Sequence, residues 1–104
     1  MKLKPISFYA IYKDGLVLLN GHEFHAKDRQ LVVHKTRPAL LPADKFYKIS
    51  ELTAGFAVPI EHTTIRSQAV RLAISAMGDI TDEAWRREIS RHLAIAKTMT
   101  VVEG

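Results

Sequence analysis

The spacing of apolar side chains changes near Thr63, and no other feature limits the fold of this chain as strongly. Before that point apolar residues come in short runs broken by turn-forming pairs. After it they recur three and four positions apart, while glycine and proline withdraw. A front part of strands followed by two helices is the expectation.

In the front part, ISFYAIYK is rich in β-branched and aromatic residues, and Asp14-Gly15 behind it is a pair favoured in type I′ hairpin turns. Asn20-Gly21 offers a second such turn between LVLL and HEFHA, and Lys27-Asp28-Arg29 a third before QLVVHK, which predicts four strands in a meander. LVLL is short, so residues 16–24 have an alternative as one longer strand that bends at Asn20-Gly21. Pro38 and Pro42 make TRPALLPAD a loop. KFYKISEL resumes a strand, Thr53-Ala54-Gly55 turns it, and FAV adds a short extension that ends at Pro59.

Thr63 or Thr64 is placed to cap the first helix. Ile65, Ala69, Leu72, Ala73 and Ala76 form its apolar stripe, widened by Val70, Ile74 and Met77. So broad a stripe predicts contacts on two sides, the sheet and the neighbouring helix. Gly78 is expected as its C-terminal cap. Thr81 caps the second helix, with Asp82 and Glu83 at the positive end of the helix dipole. Trp85, Ile89, His92, Leu93 and Ala96 form its core face, and Arg86, Arg87, Ser90, Arg91 and Lys97 the opposite one. TMTVVEG reads either as fraying helix or as a last short strand.

A length of 104 residues suits a single domain, spanning 1–104. Apolar and charged shares of 47% and 25% are those of an ordinary globular protein, and no run reaches the ~20 apolar residues of a membrane span. The lysine-led start stops being apolar at Lys13 and has no small-residue cleavage site, so it reads as a strand rather than a signal peptide. Without cysteine there are no disulfides, thiolate nucleophiles or Cys-ligated zinc, and a reducing cytoplasm is the expected compartment. Fifteen basic against eleven acidic residues give a formal charge of +4, which argues against a DNA mimic.

His22, His25 and His34 lie close together in sequence and raise the question of a metal. His22 and His25 are three apart, so on a strand they point to opposite faces and cannot share an ion. They are expected as exposed strand histidines, with His34 able to reach either across the sheet; no metal and no cofactor is assigned. His92, amid an apolar helical face, reads as a neutral histidine satisfied by a hydrogen bond. No phosphate-cradling glycine loop and no Gly-x-Ser-x-Gly elbow is present, and the carboxylates are scattered. No catalytic residue is assigned and the chain is expected not to be an enzyme.

Two sets of residues remain as binding candidates, beside an exposed sheet edge. The face of Arg86, Arg87, Arg91 and Lys97 suits acidic groups on a protein. Lys45, Phe46, Tyr47 and Lys48 interleave charge with aromatic rings, as nucleic-acid-binding sheets do, although alternation lets only one of the two rings face outward.

YKISELTAGFAVPIEHTTIRSQAVRLAISA, residues 47–76, joins a strand with a Thr-Ala-Gly turn to a short extension and then to Thr, Arg and Ala-Val entering a helix. This pattern resembles small accessory proteins of bacteriophages and mobile elements, some of which, like anti-CRISPR proteins, inhibit host defences by binding a defence protein. It covers less than a third of the chain and carries over no binding residue. The resulting expectation is an α+β domain, an antiparallel meander of four to six strands with two C-terminal helices on one face. Its expected function is a non-enzymatic protein-binding module, a phage or mobile-element inhibitor of a host defence protein. A small basic nucleic-acid-binding domain is the alternative, no membrane partner is expected, and a homodimer is a second way to bury the broad helix.

Overall fold

A computed structural model describes residues 3–35 and 45–102. Its described residues form a five-stranded antiparallel meander, order β1-β2-β3-β4-β5, followed by two helices. The strands are β1 (Lys4–Tyr12), β2 (Gly15–Ala26), β3 (Arg29–Lys35), β4 (Tyr47–Glu51) and β5 (Ala57–Val58); the helices are α1 (Arg66–Gly78) and α2 (Asp82–Ala96). The expected α+β class, strand number and helix placement hold. The loop expected at TRPALLPAD, residues 36–44, lies outside the described residues.

Asn20-Gly21 is not a hairpin turn. β2 runs unbroken through it, pairing with β1 over residues 15–23 and with β3 over 21–26, so the alternative of one longer strand holds and the front part has three strands rather than four. The reason is steric. A Cβ at Gly21 would stand 2.6 Å from Val32 Cγ1 and 2.7 Å from the Val33 carbonyl oxygen, so the missing side chain lets neighbouring backbones close in. The first hairpin also turns one residue earlier than expected: Tyr12 pairs with Gly15 across Lys13-Asp14, and only Gly15 takes a positive φ. The Lys27-Asp28 turn has both φ values positive, 53° and 61°, as a type I′ hairpin requires.

The sheet is strongly curled. Ile11 N–H donates to the Gly55 carbonyl at 2.9 Å, so the edge strand β1 comes round to the turn between β4 and β5. Gly55 has φ +78°, and a Cβ there would overlap the Tyr9 carbonyl oxygen. Inside the curl Phe8, Ala10, Val17, Leu19 and Val32 form a small core, joined by Leu52 and Val102. The C-terminal residues belong to this closure: Leu16 N–H donates to Thr100 and Val102 N–H to Leu16, while Leu16 and Val101 make a parallel bridge. The described part of TMTVVEG is thus neither continued helix nor a full strand: it makes a single bridge.

The larger core lies on the other face, where Phe24, Leu31, Val33, Ile49, Phe56 and Val58 meet Ala69, Val70, Ala73 and Met77 of α1 and Trp85 of α2. Small residues on α1 let it sit close to the sheet. Its stripe is narrower than the sequence implies, since Ile65 and Ile74 remain exposed. α2 rests on Phe56 through Trp85, ring centroids 5.4 Å apart, and through His92, 4.4 Å away and stacked. Thr81 Oγ1 accepts from Ala84 N–H, as expected. Thr63 does not cap α1: it accepts from Ile65 N–H and donates to Gln68, turning the chain just before a helix with no side-chain cap. Nor is Gly78 a left-handed cap. Asp79 follows it in right-handed geometry, and the α1 end is held by Arg29, whose guanidinium donates to the Met77 and Ile80 carbonyls at 3.1 and 2.6 Å.

Candidate binding surfaces

Arg29 is the most consequential residue that sequence reading passed over, because it looked like part of a turn. It is almost fully buried, adds a bond to Asp82 at 3.1 Å, and lies 5.1 Å from the Trp85 ring centre. One cation thus joins β3, the end of α1 and the start of α2, and its bond holds the Asp82 carboxyl below its ordinary pKa. Glu51 is comparable: its buried carboxylate accepts from the N–H groups of Thr53 and Ala54 at 2.9 and 2.5 Å and shapes the turn that meets β1. Both are structural.

The five histidines disperse. His22 lies 3.5 Å from Arg66, His25 bonds Glu23 at 2.7 Å, and His62 stacks on Phe46 at 4.7 Å. His92 is half-buried and donates from Nδ1 to the Glu88 carbonyl at 2.9 Å. No group of three metal-ligating side chains occurs among the described residues. His34 departs from expectation. It is 5% exposed and sits inside the curl, 5.1 Å from the Phe8 ring. Its register partner on β2 is Gly21, so neither His22 nor His25 is opposite it.

His34 Nδ1 is 2.7 Å from the Lys35 carbonyl, and Nε2 is 2.8 Å from Ser50 Oγ. The carbonyl can only accept, so Nδ1 carries the proton and Ser50 donates to Nε2. Burial pushes the imidazole below its ordinary pKa of 6.5 and the Lys48 charge adds to this, against the Lys35 carbonyl. A hydroxyl facing a neutral, oriented imidazole is the arrangement of a nucleophile and its base. Acyl transfer also needs donors for an oxyanion. At the adjacent turn those donors are occupied: Thr53 and Ala54 N–H by the Glu51 carboxylate, Gly55 N–H by the Glu51 carbonyl. Ser50 itself is only 4% exposed.

The arginine face of α2 is exposed as expected, but two of its cations are already engaged. Arg87 pairs with Glu83 at 3.4 Å and Arg91 with Glu88 at 3.1 Å, both within the helix; Arg86 and Lys97 are also exposed. The Lys45 to Lys48 segment lies at the start of β4. Phe46 is half-buried against His62, and the Tyr47 ring carries Lys35 Nζ 4.7 Å above its centre.

A third surface was not foreseen. Tyr9 and Leu18 are cross-strand partners on the outer face of β1 and β2, exposed by 48% and 55%. Ile11 and Leu16 are the next pair on that face, half-buried, and Val101, bridged to Leu16, is 52% exposed. These five side chains make a contiguous apolar patch that the helices do not cover. The signal for it was in LVLL: consecutive apolar residues in an antiparallel strand make both faces apolar, and only one of them can line the curl. No helix among the described residues is long and apolar enough to cross a membrane. No protein-family model, curated protein or solved structure matches this chain.

Proposed function

We propose that the protein is a non-enzymatic binding module that docks an apolar surface of a protein partner on the outer face of β1 and β2. The observation that carries this reading is the exposed Tyr9–Leu18 pair, continued by Val101, Ile11 and Leu16. Scattered exposed apolar residues are normal on a globular protein, whereas a contiguous patch on a sheet face marks a binding surface. Large side chains on a rigid sheet also lose little conformational freedom on docking. The arginine face of α2 supports this role less well, since breaking its helical ion pairs opposes the gain from new ones. The resemblance of residues 47–76 to phage and mobile-element accessory proteins directs the choice of partner toward a host defence protein, with the module acting as its inhibitor.

The test is capture from nuclease-treated lysate by wild type, Leu18→Glu and the double variant Arg87→Ala/Arg91→Ala, alongside light scattering of the isolated protein. One stoichiometric partner, retained by wild type and the arginine variant and lost with Leu18→Glu, supports the reading. Loss with the arginine variant alone moves the interface to α2 and overturns it. A dimer that Leu18→Glu dissociates shows that the patch is covered by a second copy.

A further inference from the structure

Two clefts adjoin at the end of the curl where β3 stops and β4 begins, of about 540 and 390 Å³, and they share His34 and Tyr47 in their walls. The larger gathers His22 from β2, Lys35 from β3 and Arg66 from the start of α1, beside the hydroxyl and amide of Ser7 and Asn20. The smaller adds Lys48 from β4, His62 and Tyr12. No carboxylate lines either cleft among the described residues. Two elements, β3 through Lys35 and α1 through Arg66, thus bring cations to the larger cleft with no carboxylate in its described lining. Arg66 is also the first residue of a helix whose opening turn contains no acid, where its charge opposes the helix dipole. Like charges drawn together this way repel, and a bound anion relieves the repulsion.

We infer that these adjoining clefts form one track for a short single-stranded nucleic acid. Lys35 and Arg66 contact a phosphate in the larger cleft, and Lys48, on the opposite face of β4 from Tyr47, contacts the next one where the nucleic acid passes round the end of β4, so that Tyr47 divides the two nucleotide positions. A single strand suits the geometry better than a duplex, because clefts between strands admit unstacked nucleotides, whereas a duplex presents its phosphates to a broad convex surface. The Lys45-Phe46-Tyr47-Lys48 segment contributes through Tyr47 and Lys48; Phe46 supports His62 at the rim by stacking. This site is separate from the apolar face of β1 and β2.

The experiment is an anisotropy titration of labelled ten-nucleotide DNA and RNA of mixed sequence with the full chain, repeated at rising salt. Three phosphate contacts on a single strand predict a slope of about −2 in log K against log salt, and each lost contact removes about 0.7 of it. Lys35→Ala/Arg66→Ala is expected to weaken binding by on the order of tenfold at low salt, with unchanged circular dichroism. Arg87→Ala/Arg91→Ala is expected to leave it unchanged. Absence of binding at low salt, binding indifferent to Lys35 and Arg66, equal loss with the α2 arginine variant, or equal affinity for duplex of the same length would each overturn the proposal.

Discussion

Leu18 and Phe24 lie on the same face of the same strand and meet opposite environments. Phe24 is enclosed by α1 and the sheet, while Leu18, on the near side of Gly21, is more than half exposed. The helices cover the second half of β2 on that face, and the first half gains its burial from the opposite side, where Val17 and Leu19 line the curl. One strand thus serves two cores through opposite faces, which leaves an apolar remainder at the surface. Apolar content therefore does not distinguish a core position from an open surface position here; what lies opposite does.

The largest expected effect tests this contrast directly. Phe24→Ala should destabilise by about 3–5 kcal/mol in chemical denaturation, whereas Leu18→Ala should cost no more than about 0.5 kcal/mol. Similar losses for both would mean that Leu18 is packed, and the docking reading would fail. Arg29→Ala should cost about 2–4 kcal/mol, since it strips charged hydrogen bonds from buried carbonyls and detaches α2 from the covered half. Gly21→Ala, at the division between the halves, should cost about 1–3 kcal/mol through the clash with Val32 and Val33. Preserved stability in that variant would show that β2 can open at this point.

A smaller effect comes from the polar pair inside the curl. The His34 pKa is lowered by folding, so above 6.5 the imidazole is neutral in both states and its contribution is complete. As pH falls below 6.5 the unfolded chain takes up the proton before the folded one does. Stability must therefore decline from 6.5 down toward the lowered folded value, and denaturation midpoints measured against pH should lose this component in His34→Gln. Smallest of all, Arg87→Ala should change stability by less than about 0.5 kcal/mol, because its ion pair with Glu83 is largely exposed to water.

Much of the architecture was legible because it is encoded locally. The Lys27-Asp28 turn, the Thr81 cap, the Thr53-Ala54-Gly55 turn and the apolar stripe of α2 each depend on a few consecutive residues, and each stands where its spacing placed it, give or take a residue. Asn20-Gly21 left two readings open because a pair that favours a turn also suits a strand whose neighbours press close, and only those neighbours distinguish the cases. The sites were less legible for a related reason. Arg29 is surrounded by turn residues in sequence, while its partners lie about fifty positions away at Met77, Ile80 and Asp82. His34 and Ser50 share a hydrogen bond only because β3 and β4 pair in one register.

The sequence by itself determined the order of strands and helices, the side of each element on which apolar residues fall, and the excess of positive charge. Tertiary structure alone decided which apolar face is covered and which stays open, that one arginine joins a strand to two helices, and that cations from separate elements converge on adjoining clefts. The division has a physical origin. Side-chain period and turn chemistry act over a few bonds and are written in neighbouring residues, whereas burial and charge convergence depend on how the curled sheet closes, which couples residues far apart along the chain.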